Sequence, residues 1–294
     1  MSKQRMTNIR DNPSRLAAVF VVHYGDNEGL AENCQLWEPV VQKGTLLCVV
    51  DNNPLESQLL WQNGSNQSDR WIHFSSPSNL GYLGGVEAGL KTIMASGAEI
   101  RSTDFVIIAN SDVENLTDCV AVIADVAGDK SIAVIGPTIT PPPTWAPHDL
   151  SLTRSIIGAA IWGLRSLFPV RLLASVVNLA RSSTSESKPL QETGDQIMVH
   201  GACFAIRFDV LQQYFALRHR PWMYGEEVLF GRVLRRMGLS FAIDENWQVS
   251  HPPKAFSPQI SRRLARARSR SLWMISLDRV TERSQRRRKS SMRR

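Results

Sequence analysis

The chain reads as an α/β protein built on a mainly parallel central sheet, and three observations lead there. From Leu16 to Pro137, apolar runs of strand length alternate with segments of helical periodicity. Two of those runs, Val49-Val50-Asp51-Asn52-Asn53 and Val106-Ile107-Ile108-Ala109-Asn110-Ser111-Asp112, deliver a carboxylate at their C-terminal ends. Between them lies a glycine-rich stretch, Asn79-Leu80-Gly81-Tyr82-Leu83-Gly84-Gly85, just ahead of a helical segment. Open α/β sheets bind ligands outside the carboxyl ends of their strands, so Asp51, Asn79 and Asp112 mark the expected site.

The elements follow in order. Leu16 to His23 is Val-rich and apolar, as a buried first strand should be. Gly29 to Val41 predicts a helix, and Thr45 to Val50 a second strand closed by the turn Asp51-Asn52-Asn53-Pro54. Trp71 to Phe74 is a short third strand, and Gly84 to Ala95 a helix after the glycine-rich loop. Asp104 to Ala109 gives a fourth strand, Asn115 to Val126 a helix, and Ser131 to Pro137 a fifth strand. Pro141-Pro142-Pro143 then marks a break. Ser155 to Leu179 is mostly apolar but carries Arg165 and Arg171, and Pro169 divides it into two short helices. Neither reaches the ~20 apolar residues of a membrane span, which leaves an interfacial pair or a buried hairpin. Ser182 to Pro189 is a polar loop. His200 to Ile206 is a strand, Phe208 to Tyr214 a helix, and Glu226 to Met237 a helix closed by Gly238. Phe241 to Ile243 and Gln248 to Ser250 are short strands leading to His251. Five regions result: a flexible 1–14, a nucleotide-binding half at 15–139, a helical insertion at 140–195, a second half at 196–257 and a basic tail at 258–294.

The net charge of +7 is not spread evenly. Ser261 to Arg294 holds 13 Lys or Arg against 2 Asp or Glu, a balance of +11, so the remainder is about −4. Leu264, Leu272, Trp273, Met274, Ile275 and Leu277 are interleaved with those arginines. Such a tail reads either as an anchor for anionic lipid or nucleic acid or as a solvated terminus. The four cysteines are scattered without a Cys-x-x-Cys pair, which argues against a thiolate zinc site and fits a reducing cytoplasm. Met1 to Ser14 is polar and lacks the apolar core of a secretory signal.

Each candidate residue has two readings. Asp51 could accept hydrogen bonds from a base or ribose, or close an Asx turn. The glycine loop leads into a helix N-terminus suited to negative charge, although it matches neither the dinucleotide nor the P-loop pattern. Asp112 with two phosphates could hold Mg²⁺ or Mn²⁺, or it could simply cap a helix. Glu226 and Glu227 point about 100° apart on a helix, so one could serve as general base while the other caps or orients. Their place in the first turn favours ionisation. His251 could ligate a metal or be a structural histidine.

As a set, these motifs resemble family 2 inverting glycosyltransferases of the GT-A fold, in the rhamnosyltransferase-like bacterial branch. The matching residues are Val49 to Asn53, Asn79 to Gly85, Asn110-Ser111-Asp112-Val113, Gly201-Ala202-Cys203-Phe204-Ala205-Ile206-Arg207, Tyr224-Gly225-Glu226-Glu227 with Arg232, and His251. The resemblance spans Leu16 to Ser257. It implies that Asp51, Asn79, Gly81, Gly85 and Asp112 bind the donor, a nucleoside-diphosphate sugar. It implies Mg²⁺ or Mn²⁺ at Asp112 with His251 nearby, Glu227 as catalytic base with Glu226 as the rival, and an acceptor side at Gly201, Ala202, Trp222 and Tyr224. The acceptor would be a saccharide or polyisoprenoid-linked saccharide used in cell-surface polysaccharide synthesis. The chain departs from the family at Glu87, where Asn is frequent, and in its Glu-Glu rather than Glu-Asp pair.

A nucleotidyltransferase would want a phosphate loop after the first strand, and His23-Tyr24-Gly25-Asp26 does not supply one. Nucleic-acid binding is disfavoured because the basic charge is terminal and no binding module appears. For the tail, the apolar residues beside the arginines favour an anionic membrane surface, placing the protein on the inner face of the plasma membrane.

Overall fold

The computed structural model describes residues 14–24, 30–52, 69–143, 152–167, 198–222, 225–251 and 258–291. Its centre is one eight-stranded sheet in the order β3-β2-β1-β4-β7-β6-β8-β5. The strands are β1 (Leu16–His23), β2 (Leu46–Asp51), β3 (Trp71–Ser75), β4 (Phe105–Asn110), β5 (Glu114–Asn115), β6 (Ile132–Thr140), β7 (Cys203–Arg207) and β8 (Ser240–Ser250). The pairs β1–β2, β1–β4, β2–β3 and β6–β8 are parallel, while β7 runs antiparallel between β4 and β6. Both halves of the sequence therefore share a single sheet.

Apolar layers cover both faces of that sheet. On β1, Phe20 and Val22 join one core with Val50, Ile108 and Phe204, while Val19 and Val21 join the other with Val49 and Ile107. Burial on both faces explains why β1 and β4 are continuous apolar runs rather than alternating ones. The first core is covered by α3 (Tyr82–Ala95), α6 (Phe208–Phe215) and α7 (Glu226–Met237), and the second by α1 (Leu30–Gln35), α2 (Glu38–Gln42) and α4 (Cys119–Val126). All four cysteines are buried and unpaired. Burial pushes the Cys34, Cys48 and Cys119 thiols up to about 12, so they are inert packing groups.

Several boundaries differ from expectation, each for a local reason. The single helix expected over Gly29 to Val41 is two, because Pro39 opens a new helix at its first turn. The helix expected from Asn115 starts at Cys119, where Asp118 accepts from the N–H groups of Val120 and Ala121. The glycine-loop helix starts at Tyr82 rather than Gly84, since Gly81 at φ +77° makes the turn. The two short strands expected after Ser240 are one, continuous along β6 through a register shift between Pro137 and Thr138.

The larger correction concerns the C-terminus. The basic tail is a 34-residue helix, α8 (Pro258–Ser291), which packs along α5 (Leu152–Leu167) and touches α7. Small residues permit the close approach: Cβ atoms built at Gly158 and Gly163 would meet Leu272 at 2.9 Å and Ser269 at 3.3 Å. Ser269 Oγ donates to the Ala159 carbonyl at 2.7 Å. Ile275, expected on a membrane-facing surface, is buried against Gly225 and α7. The second helix expected after Pro169 and the polar loop at Ser182 to Pro189 lie outside the described residues. No described helix is long and apolar enough to cross a membrane.

Candidate active site

Asp51, at the end of β2, is buried, and so is Asn52 beside it. Asn52 is tied down twice: its N–H donates to the His23 carbonyl at 3.0 Å, and its side-chain amide donates to the Gly81 carbonyl at 3.0 Å. Its carbonyl oxygen has no hydrogen-bond partner among the described residues. The glycine loop is shaped by Asn79, whose side chain accepts from the Gly81 N–H at 2.8 Å. At Gly81 a Cβ would sit 2.0 Å from the Trp222 carbonyl oxygen. At Gly85 it would sit 2.8 Å from Val50 and 2.9 Å from the Asn52 amide. Both glycines thus serve close approach: one lets the Trp222 loop lie on the turn, and the other lets α3 lie on β2. Trp222 is half exposed and donates from its ring N–H to the Asn79 carbonyl at 3.2 Å. Tyr224 lies outside the described residues.

Across the same edge, β4 ends in Asn110-Ser111-Asp112. Ser111 is held by His23 Nδ1 at 2.9 Å, and its carbonyl accepts from Asn33 at 2.6 Å. Asp112 Oδ1 lies 3.4 Å from His251 Nε2. Oxygen and nitrogen ligands of one divalent ion, each about 2.1 Å from it at near-octahedral angles, stand about 3 Å apart, so this pair fits a shared cation. The described residues hold no cluster of three or more such ligands, so phosphate oxygens or water would complete the shell. His200 stands behind His251 with ring centroids 6.3 Å apart. It accepts from the Ala202 N–H at 3.2 Å. Burial, with a smaller push from His251, lowers its pKa to about 4, so it is neutral at pH 7.

The acid pair sits at the start of α7, after Gly225 at φ +88°. Glu226 is 5% exposed and Glu227 8%. The expectation of ionised first-turn acids is therefore corrected: burial raises both pKa values above the ordinary 4.5, and Glu227 raises that of Glu226 further. The Glu227 carboxylate is partly compensated by the N–H groups of Gly225 and Glu227 and by the field of Arg268 on α8. Glu227 lies over Gly201, where a Cβ would fall 2.1 Å from its Oε1. Both acids lie within electrostatic reach of the buried Tyr214 and of Tyr82. Glu226 Oε1, Glu227 Oε2 and the hydroxyls of Tyr82 and Tyr214 are buried without a hydrogen-bond partner among the described residues.

The structure brings Asp51, Asn79, Gly81, Gly85, Asp112, His251, Gly201, Ala202, Glu226 and Glu227 to one edge of the sheet. Glu87, the departure noted above, pairs with Arg220 at 2.7 Å and Lys91 at 3.3 Å. Burial opposes ionisation of Glu87, but the two cations more than offset it and lower its pKa. Sequence reasoning gave no role to His23, Asn52, Tyr82, Tyr214 or His200. The position of His23 at the end of the first strand was a usable signal, whereas nothing local marked Tyr214.

No family model matches the chain, and no curated protein matches it. Among solved structures it is similar to GalNAc-T7 with UDP, GalNAc and Mn²⁺, at 11% identity and a TM-score of 0.53, covering 82% of this chain. It covers 44% of that structure, so the chain spans under half of its length. It is also similar to glucosyl-3-phosphoglycerate synthase from Mycobacterium tuberculosis in complex with phosphoglyceric acid, at 13% identity and a TM-score of 0.47, covering 87% of this chain and 80% of that one. The fold is the GT-A-like glycosyltransferase fold.

Proposed function

We propose that the protein transfers a sugar from a nucleoside-diphosphate donor to a saccharide or polyisoprenoid-linked saccharide, with inversion, in the manner of family 2 rhamnosyltransferase-like enzymes of bacterial cell-surface polysaccharide synthesis. The observation that carries this reading is the buried Glu226–Glu227 pair with Glu227 over Gly201, across the same sheet edge from Asp51 and the Asp112–His251 pair.

Asp51 and Asn52 receive the base and ribose, with the Asn52 carbonyl oxygen available as acceptor. Asn79, Gly81 and Gly85 shape the floor under the sugar nucleotide. Asp112 and His251 would hold Mg²⁺ or Mn²⁺, whose chemistry there is neutralisation of diphosphate charge. The GalNAc-T7 neighbour with UDP and Mn²⁺ supports such a donor and such an ion.

Glu227 is the base. It lies over Gly201 on the acceptor side, and the N–H groups of Gly225 and Glu227 and the field of Arg268 favour its carboxylate. The acceptor hydroxyl, lying at Gly201, Ala202 and Trp222, gives its proton to Glu227. Its oxygen bonds to the anomeric carbon from the face opposite the diphosphate. The bond from that carbon to the diphosphate oxygen breaks, its electron pair leaves with the diphosphate, and the centre inverts.

The test is transfer by Glu227→Gln. Donor binding should persist while turnover falls by about 10²-fold or more. A variant that turns over at the wild-type rate removes Glu227 from the role.

A further inference from the structure

Helix α8 sorts its charges. The segment from Ser261 contains two acids, Asp278 and Glu282, and both turn inward. Asp278 meets Arg232 at 3.3 Å and Arg236 at 2.8 Å, and Glu282 meets Arg236 at 3.5 Å. The small residues Ala265, Ala267 and Ser271 are buried together with Ile275. What remains outward is a stripe of another kind. Trp273, Leu277 and Val280 are 47%, 41% and 48% exposed, and their spacing of i, i+4 and i+7 puts them on one face. Arg266 and Arg270 are exposed, and helical spacing places them on that same face, about two turns and one turn before Trp273 respectively. Neighbouring α5 contains no Asp or Glu and exposes Ile156 and Ile157.

We propose that this outward face of α8, Arg266, Arg270, Trp273, Leu277 and Val280, docks on an anionic lipid bilayer. Cations hold the helix at lipid phosphates while the apolar stripe enters the acyl boundary, as an interfacial helix requires. Nucleic acid would satisfy the arginines but leave three large apolar side chains facing a polar backbone. The acids that would repel such a surface are spent on α7, so docking need not disturb the helix that carries Glu226 and Glu227. The inference extends the proposed function by giving a polyisoprenoid-linked acceptor a surface at which to be met.

The test is co-sedimentation of the whole protein with phosphatidylcholine vesicles, with and without phosphatidylglycerol. Wild type should pellet with the anionic vesicles alone, and added salt should release it. Arg266→Glu/Arg270→Glu and Trp273→Ser/Leu277→Ser should each weaken binding by about tenfold or more. Wild type remaining in the supernatant, or Trp273→Ser/Leu277→Ser binding as tightly as wild type, overturns the proposal. Retention on single-stranded RNA in preference to anionic vesicles overturns it in favour of nucleic acid. Donor-induced stabilisation, measured on the same samples, keeps the two readings apart. Vesicle binding without a donor effect removes the transferase and leaves the docking face, and the reverse removes the docking face alone.

Discussion

Replacing Gly201 with Ala should move the Glu227 carboxylate, the proposed base, without dismantling the fold. The added Cβ would lie 2.1 Å from Glu227 Oε1, 2.8 Å from Cδ and 3.1 Å from Cγ, whereas ordinary contact begins near 3.4 Å. Relief at Oε1 therefore requires a shift of about 1.3 Å, and the movable partner is a side chain rather than backbone. A misplacement of about 1 Å at a reacting group costs on the order of 10²-fold in rate. The stability loss should be that of modest overpacking, about 1–3 kcal/mol. Gly201 precedes β7, which β1 and β4 separate from β2 and Asp51, so nucleotide binding should survive. The assay is nucleoside-diphosphate release in the presence of acceptor, with donor-induced melting shifts as the binding control. Wild-type turnover by Gly201→Ala, in a protein whose Glu227→Gln variant is inactive, would refute the idea that Glu227 acts from its position over this glycine.

Other outcomes follow from the same contacts. The raised pKa of Glu226 means that its folded form binds a proton more tightly than its unfolded form. The burial penalty is thus absent below about pH 4.5 and grows as pH rises towards the raised value, so Glu226→Gln should raise the melting temperature more at pH 8 than at pH 4. A gain that does not change with pH would contradict the buried-acid assignment. Asp278→Asn should cost about 3 kcal/mol in denaturant melts, because it removes the carboxylate that Arg236 shares with the buried Arg232; a loss under 1 kcal/mol would show that α8 is not held through this carboxylate. Glu87→Gln should change stability by less than about 1 kcal/mol, since its pairs with Arg220 and Lys91 are partly exposed. A loss of several kcal/mol would mean that this cluster holds the Trp222 loop.

Much of the fold was legible because its signals are local. The boundaries of β1 and α7 follow from an uninterrupted apolar run and from the Gly238 stop at φ +70°. The strand ends that collect Asp51 and Asp112 follow from the periodicity of parallel sheets. The rest depends on partners distant in sequence. Glu226 and Glu227 look like ordinary first-turn acids until β7 and α8 close over them. Arg232 looks like a surface cation until Ile275 and Asp278 meet it, 43 and 46 residues later. Helix α8 looked like a tail because many of its packing residues are Ala and Ser, which carry no hydrophobic signal, and because arginines dominate its composition. Only its docking on α5 and α7 separates inward Ile275 from outward Trp273.

The most direct test of the central claim is a melting-shift titration with UDP-, GDP- and dTDP-sugars, each with and without Mn²⁺ or Mg²⁺, on wild type and Asp112→Ala. A metal-dependent rise is expected for one nucleotide, about 2.7 kcal/mol of stabilisation at a hundredfold excess over its dissociation constant, and it should be lost in Asp112→Ala. A folded wild-type protein that no sugar nucleotide stabilises, with either metal, would contradict the claim.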